Sequence, residues 1–219
     1  MWEVKSLEEH FIPSLEEFRE LREIALAEIG DGSDDLDNAT ALSAFCRRSI
    51  KNVSTKQKDI KWYYASPFKT LKKFGIGNCK NYAESLIALS YTVGIDGRKI
   101  YIVGIVDAEG NRPRTEQGHV LCELKINGRW VIFDAIYGVP DIGEVMKHKL
   151  KEKTFRLPRA YDCWKNPDRY ITLIKPECRG FSKMFWTQIW DDFLVKGQPT
   201  IKGMGEKSFV KKWYGETLK

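Results

Sequence analysis

Three side chains in this sequence could together cleave an amide: Cys79, His119 and Asp134. A cysteine hydrolase needs a thiolate, a base that becomes its ion-pair partner, a group that orients the base, and donors for an oxyanion. Cys79 lies in Gly75-Ile76-Gly77-Asn78-Cys79-Lys80-Asn81-Tyr82-Ala83. Asn78 is a good helix N-cap, which puts Cys79 at the first helical position. The partial positive charge of a helix N-terminus lowers a thiol pKa. The Cys79 N–H then has no intrahelical acceptor and can donate to an oxyanion. Gly75 and Gly77 would let a substrate backbone come close.

A base must come from elsewhere in the chain. His10 sits in a charged segment and His148 among lysines, so His119 has no rival. Asn127-Gly128 signals a two-residue hairpin turn. If the turn is tight, Ile126 faces Arg129, Leu121 faces Asp134 and His119 faces Ile136. Side chains alternate along a strand, so His119 and Asp134 fall on one face as diagonal neighbours, about 7 Å apart at the backbone. Each residue alone has a plainer reading: a core thiol, a satisfied strand histidine, a turn-capping carboxylate. The hairpin register favours the joint reading, because it brings His119 and Asp134 together.

The elements that must hold these residues follow from periodicity. Ser14-Leu15-Glu16-Glu17 is a capping box that opens a helix to about Ile29. Asp31 to Asn38 reads as an acidic loop without the spacing of an EF-hand. A second helix is expected over Ala39 to Lys51, with Cys46 inward. Ser66-Pro67 opens a short helix, Phe68 to Phe74. The Cys79 helix runs to about Val93 and is apolar on more than one side. Lys99 to Val106 reads as a strand, and Asp107 to Gln117 as a loop. Beyond Gly138 the expectations are a charged helix over Asp141 to Lys153, a strand over Tyr170 to Ile174, and an aromatic helix over residues 181–194. That last helix would pack on the domain, the alternative being a partner or membrane surface. The tail from Lys196 is expected to be peripheral.

Composition bounds the rest. The chain has 219 residues, enough to bury a core without staples. The formal charge is +6, but 30 acids interleave with the basic residues, which does not predict a dedicated nucleic-acid surface. No apolar run is long enough to span a bilayer. Five cysteines without CxxC spacing indicate neither a zinc site nor a disulfide framework. Reduced thiols in a cytoplasm fit best.

These residues carry a family resemblance. Gly77-x-Cys79-x-x-Tyr82-Ala83, Gly94-Ile95, Arg98, His119-Val120 and Trp130-x-x-x-Asp134 resemble the transglutaminase-like superfamily of papain-like cysteine enzymes. Tyr64-Ala65-Ser66-Pro67 also resembles the bacterial transglutaminase-like cysteine proteinases. The likeness covers about residues 40 to 139. It implies a Cys79–His119–Asp134 triad. It implies an α+β fold, with N-terminal helices and the nucleophile helix packed on an antiparallel sheet. Residues 1–139 would form this core and 140–219 an extension packed on it. The reaction implied is attack on an amide carbonyl to give a thioester, then transfer to water or an amine.

The family often reads Gly-Asp-Cys-Glu-Asp around the nucleophile. Here those acids are replaced by Asn78, Lys80 and Asn81, so no calcium, other metal or cofactor is expected. The proteinase branch has a Trp where this chain has Tyr64. Tyr64 and nearby Trp62, with Gly77 and Asn78, are therefore the candidates for oxyanion or substrate contacts. The function expected is a cysteine-dependent amide hydrolase acting on a peptide or protein. The alternatives are a protein transamidase, or a non-catalytic binding module on the same fold.

Overall fold

The computed structural model describes residues 13–30, 34–53, 61–103, 118–152, 154–178, 190, 192–195 and 199–218. The expected loop at Asp107 to Gln117 and most of the expected aromatic helix at 181–194 lie outside the described residues.

Helix α1, Leu15–Ile29, begins on the Ser14–Glu17 capping box. Helix α2, Asp35–Ser49, starts four residues before Ala39, because the Asp34 carboxylate accepts from the N–H groups of Leu36 and Asp37. Acidic residues suit a helix's first turn, so part of the apparent loop folds into α2. The short strand β1, Lys51–Asn52, follows. Ser66 caps a short helix, α3, Pro67–Lys69, which continues as a π-helical turn over Thr70–Phe74. Strand β2, Ile76–Gly77, pairs in parallel with β1 and delivers the chain to helix α4, Cys79–Thr92.

Helix α4 is the structural axis. Asn81 through Ser90 is buried without interruption. It lies between α1 and α2 on one side and the main sheet on the other. That two-sided burial explains why its sequence is apolar on more than one face.

The sheet comprises β3, Gly97–Val103; β4, His119–Ile126; β5, Arg129–Phe133; and β6, Asp192–Val195, in spatial order β5-β4-β3-β6 with every pairing antiparallel. The β4–β5 hairpin has the register counted from the turn, with Ile126 opposite Arg129 and Cys122 opposite Phe133. Asn127 and Gly128 both have positive φ, 49° and 78°, as a two-residue type I′ turn requires.

The chain after Gly138 differs most from expectation. Helix α5 covers Ile142–Lys151, capped by Asp141. Helix α6 covers Ala160–Lys165 and α7 covers Asp168–Ile171. The strand expected at Tyr170 to Ile174 is thus a helical turn and the bend after it. The β-branched pattern was misleading, since Pro167 starts the turn and Tyr170 is fully buried from it. Among the described residues the last strand is instead β6, which overlaps the end of the stretch expected to be helical and pairs Phe193 opposite Ile102. The tail is not peripheral either. Helices Ile201–Met204 and Glu206–Tyr214 bury Ile201, Phe209 and Val210 in the common core.

Candidate active site

Asn78 fixes the start of α4. Its side-chain oxygen accepts from the Lys80 N–H at 3.1 Å and the Asn81 N–H at 3.5 Å, while the Asn78 N–H donates to Asn81 Oδ1 at 3.1 Å. This reciprocal cap places Cys79 in the first turn. No acidic side chain occupies that turn, so its positive end is not neutralised locally. Asn81 Nδ2 also donates to the Trp62 carbonyl at 3.1 Å, and Lys80 Nζ to the Tyr63 carbonyl at 3.1 Å. The segment 62–64 is thereby tied to the nucleophile turn by its backbone.

The four residues named for substrate or oxyanion contacts are placed differently from one another. Asn78 is the buried cap. Gly77 is buried, and a Cβ there would meet the Asn81 Cβ at 2.6 Å. Gly77 thus permits the close packing of β2 on α4. Trp62 is buried and offers its carbonyl to Asn81, whereas Tyr64 is 83% exposed.

His119 begins β4, and Asp134 follows β5. His119 Nε2 lies 2.5 Å from Asp134 Oδ2, and both side chains are buried. An antiparallel bridge between Asp134 and Val139 closes the turn after β5, with N–H···O distances of 2.8 and 2.9 Å. Inside it, Asp134 Oδ1 accepts from the N–H groups of Ile136 at 3.1 Å and Tyr137 at 3.4 Å. Asp134 Oδ2 also accepts from the Tyr170 hydroxyl at 2.8 Å. The Tyr137 ring lies 5.4 Å from the His119 ring.

The electrostatics point one way. Burial disfavours a charged imidazole, but the Asp134 carboxylate and the hydrogen bond to it overcome this and raise the His119 pKa. Burial likewise disfavours a thiolate at Cys79. A hydrogen bond with His119, the His119 charge and the Val120 N–H reverse that and lower the Cys79 pKa. With Nε2 engaged by Asp134, Nδ1 is the ring nitrogen left for the thiol. The other buried thiols behave oppositely: burial pushes Cys46, Cys122 and Cys163 up.

The site does not suit calcium. The Asn78 oxygen is committed to the cap, and the Lys80 ammonium stands where the family pattern has a carboxylate. Among the described residues no three His, Cys, Asp or Glu side chains cluster to hold a metal ion.

Sequence reasoning missed Tyr170 and Tyr137. Tyr137 lies within the turn that presents Asp134, which was a usable signal. Tyr170 offered none, because its neighbours alternate like a strand.

A family model described as the transglutaminase-like superfamily matches residues 23–135. The chain belongs to the transglutaminase-like superfamily. The match runs from within α1 to the end of the hairpin and includes Cys79, His119 and Asp134. No curated protein matches the chain. Among solved structures, one similar chain is a candidate cysteine protease from Cytophaga hutchinsonii, with 22% identity and a TM-score of 0.45. It aligns over 64% of this chain and 46% of its own length. Another is a candidate protease from Parabacteroides distasonis, with 9% identity and a TM-score of 0.40, over 53% of this chain and 23% of its own. This superfamily member therefore spans less than half of either neighbour. Among the described residues, no helix is long and apolar enough to cross a membrane.

Proposed function

We propose that this chain is a cysteine-dependent amide hydrolase whose catalytic residues are Cys79, His119 and Asp134. The observation that carries the reading is the buried 2.5 Å contact between His119 and Asp134, with His119 near enough to Cys79 to lower its pKa. A binding module would gain nothing from burying such an assembly at an uncompensated helix N-terminus.

In the mechanism, the Cys79 thiolate adds to the carbonyl carbon of the substrate amide. The carbonyl π electrons move to oxygen, and the Cys79 N–H of the first turn donates to the oxyanion. The oxyanion collapses, the C–N bond breaks, and protonated His119 gives its proton to the leaving amine. A thioester remains. His119, now neutral, takes a proton from water as the water attacks the thioester. The second collapse releases the acid, and the proton on His119 restores the ion pair with the thiolate. Asp134 holds the imidazole with Nδ1 facing sulfur and stabilises its positive charge. A reduced compartment such as the cytoplasm suits a mechanism that needs a free thiol.

A peptide-library cleavage screen comparing the wild type with Cys79→Ala tests this reading. Cleavage lost in Cys79→Ala is expected, and cleavage retained by it overturns the assignment. Adding a primary amine separates hydrolysis from transamidation, because an amine adduct replaces the free acid only if amine outcompetes water.

A further inference from the structure

Beside the nucleophile turn lies an open groove of about 640 Å³. Its wall includes Lys61, Lys69, Lys73 and Lys80, with Tyr63 and Tyr64, and among the described residues no carboxylate lines it. Such one-sided charge is not a property of the whole surface, where acids and bases alternate. Neighbouring Lys72 shows the ordinary case, paired with Glu20 at 3.2 Å. Lys61, Lys69 and Lys73 have no carboxylate partner among the described residues.

Lys80 links the groove to the thiol. It follows Cys79 directly, and its ammonium is held by the Tyr63 carbonyl at 3.1 Å and by Glu84 at 3.6 Å. It sits 4.9 Å from the Tyr63 ring centroid and 5.8 Å from that of Tyr64. Burial raises the Tyr63 pKa first and the Cys79 charge raises it further, so the phenol lies within electrostatic reach of the thiol. Tyr64 is 83% exposed within this wall.

We propose that this groove binds acidic side chains of the peptide substrate, so that amides flanked by Asp or Glu are cleaved in preference to others. Lys61, Lys69 and Lys73 supply the counter-charge, and the tyrosine rings supply apolar surface for the peptide's aliphatic stems. A peptide is favoured over other polyanions because the groove adjoins the residue proposed to attack an amide. The inference deepens the hydrolase reading and rests on it for the position of the scissile bond.

The test uses the full chain carrying Cys79→Ala and three fluorescein-labelled peptides of one length, acidic, neutral and basic, read by fluorescence anisotropy. The acidic peptide is expected to bind roughly tenfold or more tighter than the neutral one, with binding weakened by added salt. Lys69→Glu with Lys73→Glu should remove most of that preference, while circular dichroism reports whether the variant is folded. Lys69→Gln with Lys73→Gln provides a milder version, expected to lose part of it. Equal binding of all three peptides overturns the proposal. So does tighter binding of a labelled oligothymidylate than of the acidic peptide, which would assign the groove to nucleic acid. Iodoacetamide, a neutral probe, reads Cys79 separately in the wild type. An unactivated thiol together with acidic-peptide selectivity would sink the hydrolase reading and leave the groove standing.

Discussion

The β4–β5 hairpin region holds two buried carboxylates that are satisfied by the same kinds of partner and, in the proposed hydrolase, do different things. Asp134 accepts from two backbone N–H groups, from His119 and from the Tyr170 hydroxyl. Glu123 accepts from the Ala160 N–H at 2.6 Å, the Tyr214 hydroxyl at 2.9 Å, and Arg98 through Nε at 2.9 Å and Nη2 at 2.7 Å. Each has a cation, at least one backbone donor and a tyrosine from the C-terminal stretch. The cation is the difference that bears on chemistry. An arginine keeps its proton throughout the range in which proteins fold, so Glu123 is a permanent anchor between the sheet and Ala160 at the start of α6. A histidine can give its proton away, so in the proposed hydrolase the same arrangement at Asp134 serves as a proton-transfer device for the thiol.

The largest effect should come from breaking the device. Asp134→Asn is expected to lower kcat about 10³–10⁴-fold on any peptide the wild type cleaves, because the amide can hold the wrong imidazole tautomer. Steady-state kinetics measure it, and a loss below tenfold would remove Asp134 from the mechanism.

Next in size is the anchor. Glu123→Gln leaves the buried Arg98 guanidinium without its counter-charge, and breaking such a pair costs about 3–5 kcal/mol. Urea denaturation should show that loss, while turnover per folded molecule stays near wild type. If Glu123→Gln abolished turnover with stability intact, the division between anchor and device would fail.

How far the sequence revealed these two sites follows from range. The Asp134 site was legible because Asn127-Gly128 sets a local register, which carried His119 opposite the end of β5. The Glu123 site was not, since its partners come from α6, from the final helix and from β3, joined only by tertiary packing. Residues 170–174 show the same limit: Ile171, Thr172 and Ile174 carry a strand-like pattern, but burial of Tyr170 against Asp134 holds a helical turn there. Nor could the sequence say that Glu84 on α4 would meet Lys99 on β3 at 2.5 Å, both nearly inaccessible.

A pH experiment sharpens the comparison further. The Cys79 pKa is lowered and that of His119 raised, so thiolate and imidazolium coexist between the two. Alkylation of Cys79 by iodoacetamide should therefore be faster at pH 7 than that of an ordinary thiol of pKa about 8.5, and fall as acid protonates the thiolate. A rate that titrates near 8.5 would mean an unactivated thiol.

The smallest predicted effect separates the two tyrosines. Tyr170 is buried and Tyr214 partly buried, and each is held protonated, with desolvation the leading cause of their raised pKa values. Each therefore donates a hydrogen bond to its carboxylate. Tyr170→Phe and Tyr214→Phe both remove one donor from a buried carboxylate and should each cost about 1–3 kcal/mol of stability. A purely structural account of Tyr170 ends there. The device account adds a second readout. With one donor fewer, the Asp134 charge acts more fully on His119 and holds its proton more tightly. The basic limb of the activity–pH profile should then move to higher pH in Tyr170→Phe and stay in place in Tyr214→Phe. Equal profiles in the two variants would reduce Tyr170 to packing, and a shift confined to Tyr170→Phe would make it a positioning residue for the His119–Asp134 pair.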